Sequence, residues 1–325
     1  MRPRFVSLYA IVLVLLVLVP QRNAVVMALS NRKVALVTGS NKGIGYHIAR
    51  NILSHKLDGE NEESEHAFVC ILGCRDESLA KKAAESLAAA TQNSSVDVVT
   101  IDLMDESTMD KAVSYIEDTY GRCDVLVNNA AVCYNDPTLY GKVKHTPFAE
   151  QAKITIATNF FGTLALTRKL LPLLDETGTK TDTKPRIINI ASSAGRLSII
   201  PSQEKRDAIS SENLTLEELE GHMNDFVRSA QEGTHATEGW PNTGYGVSKV
   251  GIISMTKILA RKYSDRMMIN SVDPGYCATD QNNNQGVIPA ERGAVTPYLL
   301  ATIGETAETS EFTSKHWYQE QEIAW

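Results

Sequence analysis

The chain lacks the spacings that would mark a metal or dithiol protein. No C-x-x-C pair occurs, and none of its seven histidines falls in an H-E-x-x-H or similar ligand pattern. A zinc ribbon and a thioredoxin-type site are thereby excluded, and no metal site is expected. Its five cysteines, Cys70, Cys74, Cys123, Cys133 and Cys277, are spread over two hundred residues. The odd count argues against a full disulfide framework, though it leaves room for one bridge. Cys70, Cys123 and Cys277 stand in apolar runs and read as small reduced core residues. An excess of positive charge is also missing: 32 Lys and Arg against 39 Asp and Glu give a net charge of −7, so there is no electrostatic footprint for nucleic acid. Aromatics are only 6%, but 43% apolar and 22% charged residues are near the globular average, which excludes collagen, coiled coil and wholesale disorder. A chain of 325 residues buries a core large enough to need no covalent staple.

Long hydrophobic runs are scarce as well; the one present is at the start. Met1-Arg2-Pro3-Arg4 is basic, Phe5 to Val19 is apolar except for Ser7, and Pro20-Gln21-Arg22-Asn23 closes the run. With small residues at Val26 and Ala28, residues 1–28 read as a secretory signal peptide. The run is short of the roughly 20 residues of a membrane span, yet a signal anchor stays open, as does a cytosolic form starting at Met27. The endomembrane system is the expected destination, and any membrane contact is confined to residues 5–19. Two sequons, Asn93-Ser94-Ser95 and Asn213-Leu214-Thr215, would carry glycan only in a lumenal protein.

From Lys33 onward short β-branched runs alternate with helical patterns. The strand candidates are Val34–Thr38, Phe68–Leu72, Val96–Ile101, Val125–Asn128, Arg186–Ala191 and Met267–Val272. Helical patterns cover Ile44–Leu53, Ser78–Ala90, Met109–Tyr120, Ile156–Leu174 and Tyr245–Ser264. Strands without polar alternation are buried on both faces, and strand–helix–strand order implies right-handed crossovers into a parallel sheet. The expected fold is a Rossmann-type α/β sheet of about seven strands in a single domain over residues 29–325. Ligands are then expected at the carboxyl ends of its strands. Two segments break the rhythm: the acidic loop Ser54–His66 and an insertion over residues 197–241. Within the insertion, Thr215-Leu216-Glu217-Glu218 reads as a capping box opening an amphipathic helix.

Thr38-Gly39-Ser40-Asn41-Lys42-Gly43-Ile44-Gly45 follows the first strand and opens a helix. Glycines allow a tight turn and close backbone approach to a pyrophosphate, whose charge the helix N-terminus meets. At the end of the second strand, where an acid would accept NAD ribose hydroxyls, stand Cys74 and then Arg75. A guanidinium suits a 2′-phosphate, with Lys42 as a second cation, so NADP(H) is favoured. The competing reading makes Arg75 a solvated charge paired with Asp76 or Glu77. Asp102, after the third strand, is placed to accept from the adenine amino group. Tyr245 and Lys249, in Tyr245-Gly246-Val247-Ser248-Lys249, share one helix face, so the ammonium is expected to lower the phenol pKa.

Together these pieces resemble the short-chain dehydrogenase/reductase family, and within it the monomeric carbonyl reductases. The resemblance runs from Val34 to Trp325 and includes Asn128-Asn129-Ala130-Ala131, Thr158-Asn159-Phe160-Phe161-Gly162-Thr163, the strand ending at Ser192, and Asp273-Pro274-Gly275 with Thr279. The long separation of Ser192 from Tyr245, and Glu238-Gly239-Trp240-Pro241 before the tyrosine, are similar to the carbonyl reductases. Phe312-Thr313-Ser314 looks like their last strand. The resemblance implies that Tyr245 is the general acid, that Ser192 (or Ser193, were the register one residue longer) donates to the substrate oxygen, and that Lys249 tunes the tyrosine and holds the nicotinamide ribose. It further implies that Asn159 anchors a proton-relaying water, that Asn129 and Ala130 underlie the adenine ribose, and that Pro274, Gly275 and Thr279 wrap the nicotinamide end. Asp273 and Cys277 depart from the small or apolar residues common there, and Gln281-Asn282-Asn283-Asn284-Gln285 falls where a mobile lid is expected. The implied function is NADPH-dependent reduction of a small-molecule aldehyde, ketone or quinone by a monomer. A non-catalytic dinucleotide-binding module and an oxidative alcohol or steroid dehydrogenase are the alternatives.

Overall fold

The computed structural model describes residues 32–56, 66–134, 146–181, 184–303 and 312–325; the expected targeting segment and most of the acidic loop lie outside the described residues. Strands β1 (Lys33–Thr38), β2 (Phe68–Cys74), β3 (Val96–Thr100), β4 (Val125–Asn128), β5 (Arg186–Ile190) and β6 (Met268–Asp273) form within two residues of the expected ends. With β7 (His316–Tyr318) and β8 (Gln321–Glu322) they make one eight-stranded sheet in the order β3-β2-β1-β4-β5-β6-β7-β8, parallel except for the β7–β8 pair. The expectation of about seven strands falls short by that two-residue edge. The last parallel strand is also not Phe312–Ser314: those residues turn, with Ser314 at a φ of +66°, and the strand begins at His316. The winding direction reverses between β2 and β4 on either side of β1, which opens a crevice at their carboxyl ends.

Both sheet faces are covered, which is why the strands show no polar alternation. One face packs Leu36, Ile71, Leu126, Ile187 and Ile269 against α3 (Glu106–Tyr120), α5 (Thr163–Thr181) and α8 (Gly244–Lys262). The other packs Val37, Leu72, Val127, Ile188 and Val272 against α1 (Gly43–Leu53), α2 (Glu77–Thr91) and α9 (Val295–Thr302). Local chemistry sets the helix ends: Asp76 accepts from the Leu79 N–H at 2.9 Å, and Asp105 from the Ser107 N–H at 2.9 Å. The long helix expected over Ile156–Leu174 is instead three pieces, α4 (Phe148–Ile156), a π turn at Ala157–Gly162, and α5. The helical run is continuous through the π turn, and at its end a Cβ on Gly162 would lie 2.2 Å from the Leu103 carbonyl oxygen, so the helix passes the β3 exit at backbone contact. Buried amides hold the centre of the sheet, with Asn128 donating to Thr167 and Asn189, and Asn189 donating to Thr256.

The insertion contains α6 (Gln203–Ser210), which the sequence did not signal, and α7 (Leu216–Glu232), whose capping box forms as expected between Thr215 and Glu218. Leu219, Met223 and Phe226 of α7 bury their side chains against the core. Asp225 locks the insertion shut: it accepts from the fully buried Trp240 indole at 2.9 Å, from Lys205 at 2.9 Å and from Arg228 at 2.7 Å. Burial pushes the Asp225 carboxyl up, but the three donors outweigh it and hold it below the usual carboxylate range. Of the two sequons, Asn93 is buried and donates to the Leu53 carbonyl at 3.0 Å, whereas Asn213 is exposed.

Asp225→Ala leaves a buried indole N–H without an acceptor and should lower unfolding free energy by about 1–3 kcal/mol in urea. Because the carboxyl is depressed, its contribution is present above the unfolded value near 4 and fades as the pH falls below it. The wild-type advantage over the variant should therefore shrink in acid; an advantage independent of pH would disprove the charge-based lock.

Candidate active site

The glycine loop is built by close approach. Gly39 and Gly43 have φ of +64° and +58°, and a Cβ on Gly45 would sit 2.6 Å from the Gly39 carbonyl oxygen. Asn129 clamps the turn from β4, donating to the carbonyls of Thr38 at 2.9 Å and Gly39 at 3.2 Å, while the Thr38 hydroxyl accepts from the N–H groups of Asn129 and Ala130. The first turn of α1 carries no acidic residue, and no side chain caps it. Its N–H groups are therefore open to an anion. A cavity of about 530 Å³ lies before it, lined by Gly39, Asn41, Lys42, Gly43, Ile44, Cys74, Arg75, Asp102, Asn129, Ala130 and Thr279. An uncapped helix end beside glycines with no room for side chains, opening on a space of this size, fits the phosphate and adenosine parts of a dinucleotide.

Three of the candidates at this end have resolved settings. Arg75 is exposed at the cavity mouth, where an open groove with Lys81 and Lys82 begins, and it makes no ion pair among the described residues. Asp76 caps α2 and Glu77 pairs with Lys81, so of the competing reading the exposed, solvated charge is observed and the pairing with Asp76 or Glu77 is not. Asp102 lines the cavity but gives one oxygen to the Met104 N–H at 2.9 Å. Lys42, expected as a second phosphate cation, is turned to Asp280 at 2.8 Å across the cavity.

The other candidates gather beyond this cavity. Thr243 caps α8 through the Gly246 N–H at 3.0 Å, which starts the helix in time to put Tyr245 and Lys249 one turn apart on the face toward β5. Lys249 is buried, its Nζ donating to the Ile190 carbonyl at 2.7 Å and lying 5.5 Å from the Tyr245 ring centre. Gly195 makes that approach possible, since a Cβ there would meet the Lys249 Cβ at 2.6 Å. Ser192, extended at the end of β5, accepts at its hydroxyl from the Ala194 N–H at 3.2 Å and lies close enough to the Tyr245 hydroxyl to lower its pKa, while Ser193 acts on Asp273. Asn159, presented by the π turn, accepts from the Val132 N–H at 2.8 Å and donates to the Val132 carbonyl and the Ser248 hydroxyl. Its amide is thus fully engaged in tying helix to loop. Pro274 and Gly275 form the turn after β6, with Gly275 at φ +82°; neither lines the 530 Å³ cavity.

The electrostatics differ from the sequence expectation. Burial pushes the Tyr245 hydroxyl well above the usual phenol range; Cys133 and Asp273 raise it further, and hydrogen bonds with Ser192 and Gln281 pull against them. The same burial pushes Lys249 down to about 8, with Cys133 and Asp273 working in the opposite sense. A lysine that loses its own proton so readily cannot by proximity alone offset the desolvation of the phenol. Two contributors were missed as site residues: Cys133, after β4, and Gln281, in the polar lid run. Gln281 lines the cavity and lies near enough to Tyr245 and Cys133 to lower the pKa of each, so it stands between the nucleotide end and the phenol.

Both the sequence and the fold match known proteins. The short chain dehydrogenase family profile matches residues 33–202. The chain is 36% identical to carbonyl reductase (NADPH) 1 of Rattus norvegicus, over 86% of this chain and 94% of that one. It is 35% identical to the Homo sapiens protein of the same name, over 85% and 92%. Among solved structures, salutaridine reductase from Papaver somniferum superposes with a TM-score of 0.74 at 26% identity, covering 88% of this chain and 99% of that one. Menthone neomenthol reductase from Mentha piperita gives 0.69 at 25% identity, covering 89% and 99%.

The buried lysine has a stability signature. Its pKa falls from 10.5 to about 8, so the folded state is penalised wherever the lysine is charged, fully below about 8. Between about 8 and 10.5 the unfolded chain holds more protons and the penalty lifts. Relative to Lys249→Met, the wild type should gain on the order of 3 kcal/mol across that window. A constant difference in urea midpoints from neutral pH upward would refute it.

Proposed function

Because this chain belongs to the short-chain dehydrogenase family, we propose that it is an NADPH-dependent reductase of aldehydes, ketones or quinones. The observation that carries this reading is the meeting of Tyr245, Ser192 and Lys249 just beyond a cavity shaped for a dinucleotide. The relatives named as NADPH carbonyl reductases, matched over most of their length, support it. Gly39, Gly43, Ile44 and the uncapped start of α1 hold the pyrophosphate, Asp102 and Ala130 flank the adenosine, and Arg75 takes the 2′-phosphate. NADPH, when bound, supplies the hydride that reduces the carbonyl carbon. Tyr245 gives its proton to the carbonyl oxygen, and Ser192 donates a hydrogen bond where negative charge develops on that oxygen. Lys249 holds the nicotinamide ribose and, while protonated, favours the tyrosinate left behind. Asn159 keeps the Val132 loop and Ser248 in place around the pair.

The fold also supports a monomer, because α7 and Trp240 cover α4 and α8 with a locked insertion. The basic and apolar leader supports entry into the endomembrane system. A lumenal domain then carries glycan at Asn213 alone, since Asn93 is buried. The native protein should elute from gel filtration at the mass of one chain and lose the mass of a single glycan to endoglycosidase. A dimer or tetramer sinks the first expectation, and an unglycosylated secretory form the second.

The reading is tested by NADPH oxidation with a panel of quinones and aldehydes, alongside NADPH binding by fluorescence. Tyr245→Phe should lower kcat by about 10²–10⁴-fold and leave the NADPH dissociation constant within about twofold. Arg75→Asp should weaken NADPH by about tenfold or more and NADH far less. Tight binding with no turnover of any substrate makes the protein a binding module instead, and equal losses for the two cofactors remove the assignment of Arg75.

A further inference from the structure

The sheet ends in a hairpin that adds little to it. β8 is two exposed residues, Gln321 and Glu322, paired with Tyr318 and Trp317 of β7. The turn between them places Gln319 and Glu320 at left-handed φ of 47° and 60°, which residues with side chains disfavour. It is nevertheless firmly held. Arg292 donates to both Glu320 carboxylate oxygens at 2.8 Å, and Thr296 of α9 donates to one of them at 2.7 Å and accepts from the Glu320 N–H at 3.1 Å. The Ile323 N–H then donates to the His316 carbonyl at 2.8 Å, which carries the chain back along β7. That direction delivers Trp325 to the α8 side of the sheet, where the indole packs half-buried against the core.

There the indole N–H donates to the Gly195 carbonyl at 2.8 Å, across 130 positions of chain. The ring lies 5.7 Å from Nζ of Lys257, about two turns beyond Lys249 on α8. Gly195 closes the short turn that follows Ser192: its N–H donates to the Ser192 carbonyl at 2.8 Å, and the Ala194 N–H donates to the Ser192 hydroxyl at 3.2 Å. Gly195 also lies directly on Lys249, where a Cβ would meet the Lys249 Cβ at 2.6 Å and its carbonyl carbon at 2.7 Å. One indole thus fastens the turn that carries Ser192 and touches the helix that carries Tyr245 and Lys249.

We infer that Trp325 is a positioning residue of the reductase site: through Gly195 it fixes the Ser192 turn against Lys249, so that the Ser192 hydroxyl is held where the substrate oxygen gains charge. The inference rests on the reductase reading for its effect on turnover, while the contact itself is open to a test without substrate. Support given to a group that acts on the transition state more than on the bound substrate changes kcat and leaves KM alone. A residue that only stabilises the fold costs the same factor whichever side chain occupies position 192. One that acts through Ser192 costs nothing once that hydroxyl is gone. Trp325→Phe isolates the hydrogen bond, since it keeps a ring beside Lys257 and removes the N–H.

The test is a double-mutant cycle in which kcat is scored per NADPH-binding site, the sites being counted by fluorescence titration. Ser192→Ala should lower kcat by about 10²-fold. Trp325→Phe should lower it by about threefold to tenfold, with the carbonyl KM within about twofold. Added to Ser192→Ala, the same Trp325→Phe change should alter kcat by less than about twofold. An undiminished loss in the double variant, or wild-type kcat in Trp325→Phe, overturns the positioning role. Without substrate, the Trp325 indole N–H of the ¹⁵N-labelled, cofactor-free protein is followed by hydrogen exchange, assigned through its own backbone resonances. It should exchange about tenfold or more slowly than free indole, and about threefold faster in Ser192→Ala than in wild type. Exchange at the free-indole rate, or exchange unaltered by Ser192→Ala, overturns the coupling of Trp325 to the Ser192 turn. Should Trp325→Phe fail to fold, this measurement on wild type and Ser192→Ala carries the decision alone. A wild type that turns over no carbonyl defeats the reductase reading, while indole exchange still decides whether Trp325 and Ser192 are joined.

Discussion

A lysine side chain withdrawn from water and tied to a strand-end carbonyl is the constraint around which this site is organised. The Lys249 bond to Ile190 fixes the rotation of α8 against β5. Once that rotation is fixed, a residue four positions earlier must face the same strand end, which brings the Tyr245 hydroxyl to Ser192. The cost is visible in the pKa directions: the same burial disfavours the ammonium and the phenolate alike. The arrangement persists because backbone and side chains around it leave no slack. Gly195 has no space for a Cβ beside Lys249, and a Cβ on Gly246 would meet Ile199 and the Ala194 carbonyl at similarly short range.

The support behind the site is polar where an ordinary core would be apolar. Asn128, Asn189, Thr167 and Thr256 form a hydrogen-bonded chain through the sheet centre, linking β4 and β5 to the helices on one face. Buried amides satisfied in this way restrict register more tightly than hydrophobic contact does, because a slip strands their donors and acceptors. Asn159 extends the same principle to the loop after β4. The π turn that carries it ends at Gly162, which passes the Leu103 carbonyl with no space for a Cβ, and its amide reaches the loop after β4.

How much of this was legible in the sequence follows from the range of the interactions involved. Period and punctuation located β1 to β6 nearly to the residue, since strands buried on both faces read as uninterrupted β-branched runs. The glycine loop, the Thr215 capping box and the Tyr245–Lys249 pair were legible for the same reason: each is a local pattern with a local cause. The π turn at Ala157–Gly162 was not, because apolar period reports a helix without distinguishing its hydrogen-bond pattern. Helix α6 was missed because its one buried side chain, Ile209, gives no stripe to detect. Cys133 and Gln281 were invisible as site residues, as neither belongs to a spacing; only the fold brings them to Tyr245. The sign of the Tyr245 shift was misjudged because spacing reveals a neighbouring charge but not how completely both groups are dehydrated.

The division of labour among the cations shows why position outweighs type. Sequence alone offered Arg75, from the end of β2, as the partner for a phosphate and Lys42, from the glycine loop, as a second cation. In the folded chain Lys42 reaches across to Asp280, at the start of the segment that also carries Gln281 to the phenol. Its charge is already balanced there, whereas Arg75 stands without an ionic partner at the mouth of the cavity beside Lys81 and Lys82. A new anion at Lys42 has to displace a carboxylate, and at Arg75 it displaces only water. In the proposed reading, discrimination between the two nicotinamide cofactors therefore falls to Arg75, and Lys42 anchors the lid to the loop beneath it.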